Sequence, residues 1–184
     1  MAQRSTVHRV SVELCDTDRQ VYEDLQMSIA RADSETLHRL VARILAYCVC
    51  FERDIAFTQG VGAGDEPDVW VKEPGDRVKV WIEVGLPDAK RLVKAARHCE
   101  RVVLLAYGRG LPRWEADHLP QLADVGNVTV AALDLRFLDQ LAALVDRNII
   151  WGLTVSGGTL YLTAGKEQLE TTLRPLSGPP LLPI

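Results

Sequence analysis

The 184-residue chain is 47% hydrophobic and 25% charged with a formal net charge of −4, a globular composition that excludes wholesale disorder and nucleic-acid binding through total charge alone. The length suits one domain over residues 1–184 and is short for two. "MAQRSTVHRVSVEL" lacks the basic-then-apolar layout of a signal peptide, and no run approaches the roughly 18 apolar residues of a membrane span, so a cytoplasmic protein without membrane attachment is expected. Cys15, Cys48, Cys50 and Cys99 match neither a zinc ligand set nor a CxxC pair and are expected to be core thiols.

"STVHRVSVELC" and "LQMSIA" alternate in polarity and predict a hairpin over about 5–30. In "ADSETLHRLVARILAYCVC", Leu37, Leu40, Val41, Ile44, Leu45 and Cys48 recur at helical spacing, with Asp33 or Ser34 as the expected N-cap. "RDIAFTQ" is a short strand candidate, and "GVGAGD" reads as a connector because it lacks the lysine of a phosphate-cradling loop. "DEPDVWVKEPGDRVKVWIEVG" predicts a second hairpin, followed by a helix from about Asp88 to Glu100 and a strand, "RVVLLAY", buried on both faces. A helix around Arg113 to Leu122, a strand "NVTVAALDL" and a helix "LRFLDQLAALVDR" follow. "NIIWGLTVSGGTLYLTAG" predicts a hairpin over 148–164 turning at Gly157-Gly158, and the proline-rich tail 175–184 is expected to lie extended on the surface or to fray.

The central hairpin carries the chemistry. Strand alternation sends Val69, Val71, Val78, Val80, Ile82 and Val84 to the core and leaves Asp68, Trp70 and Lys72 opposite Lys79, Trp81 and Glu83. A Gly75-Asp76 turn pairs Asp68 with Glu83, Trp70 with Trp81 and Lys72 with Lys79, whereas a type II turn centred on Pro74-Gly75 shifts the pairing by two; in both, the two acids share a face. Facing carboxylates repel unless a cation intervenes, and Mg²⁺ suits an oxygen-only site; the alternative is that both point into water. Lys90, Lys94, Arg97 and Arg101 recur as a basic face of the next helix, which is either solvated charge or a grip for phosphates. Glu35 is expected in the first helical turn, where the helix dipole alone would favour it by about 0.3 to 1 kcal/mol. Trp70 and Trp81 spend apolar area on the non-core face, which asks either for a covering helix or for a partner, protein included.

The αβββαβ order, with "PD" on one strand and "ExG" on its hairpin neighbour, resembles the PD-(D/E)XK nuclease superfamily. Over nearly the whole chain, "ADSETLHRLVARILAY", "DEPDVWVKE", "VWIEVGLPDAKRLVKA" and "RNIIWGLTV" resemble the bacterial YaeQ family. The resemblance implies an α/β (α+β) fold: a restriction-endonuclease-like core at about 33–135, with a mixed central sheet flanked by helices and a hairpin at each end. It further implies Mg²⁺ or Mn²⁺ on Asp68 and Glu83, with Glu35 as a helix-borne acid near the metal. The implied activity is phosphodiester hydrolysis, or nucleic-acid or protein binding without cutting. The motif's lysine is replaced by Gly85, so Lys90 of the following helix is the expected substitute, with Lys94, Arg97 and Arg101 contacting nucleic acid.

Overall fold

The computed structural model describes residues 5–58 and 64–181; of the predicted glycine-rich connector, Gly60 to Ala63 lie outside the described residues. The strands are β1 (Ser5–Asp16), β2 (Val21–Ala32), β3 (Ile55–Phe57), β4 (Val69–Lys72), β5 (Val78–Val84), β6 (Arg101–Ala106), β7 (Val128–Ala132), β8 (Asn148–Ser156), β9 (Thr159–Ala164), β10 (Glu167–Thr172) and β11 (Arg174–Ser177). The helices are α1 (Leu37–Val49), α2 (Ala89–Ala96), α3 (Leu111–His118), continued by one 3₁₀ turn over Leu119–Leu122, and α4 (Leu135–Ala143). The result is a mixed α+β fold. Among the described residues the strands form two mixed sheets, ordered β10-β9-β8-β1-β2 and β11-β7-β6-β5-β4-β3.

Helix α1 holds the two sheets together. Leu40 through Ala46, Cys48 and Val49 are all buried, because one face meets the five-stranded sheet at Val10, Val12, Leu14 and Ile29 while the other meets Val69, Val80, Ile82 and Val103. A helix packed on both sides is apolar nearly all round, which is why its single predicted stripe is too narrow. The opposite face of the six-stranded sheet carries a second cluster: Leu92 of α2 and Trp114 of α3 pack on Val102, Leu104, Val128 and Val130.

Several expectations need correction. The two terminal hairpins, expected at the two ends of the core, are joined to each other: β1 runs parallel to β8, Arg9 opposite Asn148, and both lie in one sheet. Strand β10 has no apolar alternation, since only Thr171 of its six residues is buried, and so it leaves no period-two signal. The tail is a strand as far as Ser177: β11 pairs antiparallel with β7, and the next residue, Gly178, approaches Val128 so closely that a Cβ would stand 1.8 Å from its carbonyl oxygen. The N-cap of α1 is Thr36, whose side chain accepts from the Arg39 N–H, because Asp33 and Ser34 are used in a turn closed by the Glu35 N–H on the Ala32 carbonyl. Helix α2 ends at Ala96 instead of reaching Glu100. Asn127 stops it by donating to the carbonyls of Ala96 (2.9 Å) and Cys99 (3.1 Å), and the chain turns there into β6.

The Gly157-Gly158 turn is as predicted, both glycines having positive φ between Ser156 and Thr159. Cys48 and Cys50 are buried and their thiols are pushed up to about 12 by burial, which leaves them unreactive; Cys15 and Cys99 are half-buried. No described helix is long and apolar enough to cross a membrane.

Candidate functional site

The central hairpin combines both turn geometries considered. Asp76 N–H donates to the Glu73 carbonyl around Pro74-Gly75, with Gly75 at φ +99°, as a type II turn requires. The expected two-residue shift is nevertheless absent. Asp76 is left-handed at φ +65° and a bulge lies between Val71 and Lys72, so two one-residue corrections return Trp70 opposite Trp81 and Val69 opposite Ile82. At the bulge Lys72 faces Val78 instead of Lys79, and Val78 is half-buried beside Trp81 instead of in the core. Asp68, one residue before β4, extends the ladder by donating its N–H to the Ile82 carbonyl.

This register brings three acids to one cleft of about 540 Å³, lined by Glu35, Arg39, Asp68, Glu83, Arg91 and Tyr107 among others. None of the three points freely into water: Glu35 is 3% exposed, Asp68 3% and Glu83 5%. Buried carboxylates need counter-charge, and each has an arginine. Both oxygens of Glu35 accept from Arg43 Nη1, at 3.1 and 3.3 Å. Asp68 Oδ1 pairs with Arg39 Nη2 and lies 3.7 Å from Arg43 Nε, while Oδ2 accepts from the Val84 N–H at 2.9 Å. Glu83 Oε1 accepts from Arg91 Nε and from Trp81 Nε1, both at 2.6 Å. Arg91 also ties down the loop before β4, donating to the carbonyls of Gly64 (2.8 Å) and Glu66 (2.6 Å).

Glu35 is outside α1, one residue before its N-cap, so the helix dipole does not explain it; its partner is the buried Arg43. Lys90 does not line the cleft. It is exposed at the start of α2, and its neighbour Arg91 takes the position against Glu83. Lys94 is exposed on α2, 3.4 Å from Asp65, and Arg97 is the exposed C-cap. Arg101 is not on the helix: it opens β6 and pairs with Glu52.

Arg39 and Arg91, which line the cleft, and Arg43, buried behind it against Glu35, are the residues that the sequence did not point to. Arg43 left no signal of its own, because it lies outside the predicted apolar stripe of α1, on the side where the sequence alone would place a solvated charge. At the lysine position, a Cβ on Gly85 would point at Arg39 Nη1, 3.9 Å away. A guanidinium from α1 therefore stands where a side chain from residue 85 would begin. It carries charge but has only N–H donors and no atom to accept a proton.

A divalent cation does not fit the donors as arranged. Glu35 and Asp68 have both carboxylate oxygens engaged and Glu83 one, so an ion bridging Asp68 and Glu83 would first have to displace Arg39 and Arg91, and one reaching Glu35 would have to displace Arg43. Among the described residues no three His, Cys, Asp or Glu side chains are grouped to hold a metal.

Burial raises the Glu83 carboxyl above its usual range, outweighing the lowering by Arg91 and Trp81, and Asp68 raises it further. The folded state thus holds this proton more tightly than the unfolded chain, so the contribution to stability is full below the ordinary carboxylate pKa and is lost as pH rises through the raised value. Glu83→Gln should remove that loss: in urea titrations over the pH range rising from the ordinary carboxylate pKa of about 4.3, the stability difference moves in the variant's favour. A constant difference across that range would contradict it. Burial also pushes the Tyr107 phenol up to about 12, so it meets a ligand as a neutral hydroxyl.

The family model described as YaeQ protein matches residues 1–173. The uncharacterised YaeQ protein of Salmonella typhi is 33% identical over 174 residues, covering 94% of this chain and 96% of its own. The crystal structure of the YaeQ protein from Pseudomonas syringae superposes with a TM-score of 0.93 at 42% identity, over 97% of this chain and 99% of that one. That of the YaeQ protein from Xanthomonas axonopodis pv. citri gives a TM-score of 0.92 at 27% identity, over 96% and 100%. By sequence over its length and by the path of its backbone, the chain belongs to the YaeQ family.

Proposed function

We propose that the cleft is a metal-independent binding site for nucleic acid, on a nuclease-like core that holds the phosphate backbone without hydrolysing it. The observation that carries this reading is that each acid already has an arginine: Arg43 on Glu35, Arg39 on Asp68 and Arg91 on Glu83 supply from the chain itself charge of the kind a metal would bring. Gly85 in place of the lysine points the same way, because no proton-accepting group is set against the acids there. Arg39 and Arg91 keep about a third of their side-chain surface open, at 30% and 31%. The exposed Lys90, Lys94 and Arg97 share one side of α2, beginning near the cleft mouth at Pro87 and Arg91. Such a run of cations suits phosphates despite the acidic total charge.

Fluorescence anisotropy with labelled single-stranded and duplex oligonucleotides tests the proposal, in EDTA and again with Mg²⁺ or Mn²⁺, with gel analysis of the label. Binding is expected to survive EDTA, weaken with salt and weaken in Lys90→Ala/Lys94→Ala, with the label intact throughout. Metal-dependent cleavage that disappears in Asp68→Asn would instead establish the phosphodiesterase, and absence of binding to every oligonucleotide would overturn the site.

A further inference from the structure

We infer that the sheet face beside the cleft is a stacking platform that selects single-stranded nucleic acid, with Trp70 and Trp81 receiving bases. The inference rests on the proposed nucleic-acid cleft and names the form of ligand it takes. Trp70 and Trp81 are direct cross-strand partners on one face of the hairpin. Helix α2 is only eight residues long and packs over β6 and β7, so it reaches Trp81 at its edge and leaves the β3-β4 end of the face open. Ala56, opposite Trp70 on β3, is exposed, and Trp70, half-buried, belongs to neither apolar cluster. A large aromatic left open on a sheet between cations is poorly used by the fold alone.

The charge around the pair is complementary to a phosphate chain. Lys72 Nζ lies 4.1 Å from the centre of the Trp70 ring, and Arg91 Cζ lies 5.4 Å from that of Trp81. A groove of about 560 Å³ runs between β5 and α2, floored by Trp81 and walled by Arg77, Arg91, Lys94 and His98, with Asp65 as its acid. Arg91 also lines the cleft, so the two spaces share a wall. Bases can stack on indole rings only when they are not already stacked in a duplex, while arginine and lysine follow the backbone. Platform plus cationic walls therefore favours a single strand.

Anisotropy in EDTA with an oligothymidine of about 15 nucleotides, set against a duplex of equal length, tests the inference. It is paired with intrinsic fluorescence, in which Trp114 and Trp151, at 5% and 4% exposure, are shielded. The single strand is expected to bind about tenfold or more tighter than the duplex and to quench the emission, and Trp70→Ala to weaken it by about tenfold, with Trp70→Phe retaining most of the affinity and duplex binding unchanged. Equal affinity for both forms, or wild-type single-strand binding by a folded Trp70→Ala, overturns the platform and leaves the cleft standing. In a parallel arm with Mg²⁺ or Mn²⁺ and gel analysis of the label, metal-dependent cutting with the Trp70 dependence intact overturns the non-hydrolytic reading and leaves the platform. A wild type that binds neither form overturns both.

Discussion

Arg43→Ala lowers the unfolding free energy by about 3 to 5 kcal/mol, because it strips the buried Glu35 carboxyl of the guanidinium that both its oxygens bond. Both side chains are 1% exposed, so water cannot take over the lost charge, and Arg43 Nη2 also gives up the Thr58 carbonyl. Against a total stability of about 5 to 15 kcal/mol, a loss of that size is a large fraction of the whole. A double replacement, Glu35→Leu with Arg43→Met, fills similar volume with apolar atoms and should recover most of it, since the cost lies in the unpaired charge. Urea titration of the three proteins checks both statements. A single variant as stable as wild type would mean that Glu35 is already neutral or hydrated.

Leu45→Ala should cost about 2 to 5 kcal/mol, whereas Leu45→Met should cost less than about 1.5. Leu45 is fully buried in α1, within the cluster that joins residues from both sheets. A cavity there cannot be closed by a loop settling inward, because the helix is flanked by two sheets whose spacing is set by their own ladders. Thermal or urea midpoints of the two variants decide it, and equal losses would show that the site relaxes freely.

Periodicity made the secure elements legible: the first hairpin, α1, the buried strand β6 and the Gly157-Gly158 turn all follow from patterns local to the chain. What the sequence concealed was set by distant partners. Strand β10 is held by its ladder to β9, Glu167 opposite Ala164, and its side chains carry little trace of it. The end of α2 is decided by Asn127, some thirty positions downstream. At the candidate site, the acids were legible because strand parity fixes their face, and the arginines were not. Arg39, Arg43 and Arg91 come from two helices, and which helical cation meets which acid depends on how those helices dock. Arg91 and Lys90 differ by one position, about 100° of helical rotation, and that rotation separates the cleft from solvent.

The parallel pairing of β1 with β8 ties residues 9–16 to residues 148–155. On the ribosome, the first hairpin is complete long before its neighbour has been made, and a two-stranded ribbon alone is marginal in water. Val10, Val12, Leu14 and Ile29 therefore wait uncovered until α1 and then β8 arrive. Contacts so far apart along the chain raise contact order and slow the final closure. The joint that unites the two ends of the chain is thus also the step at which a nascent molecule is most open to aggregation.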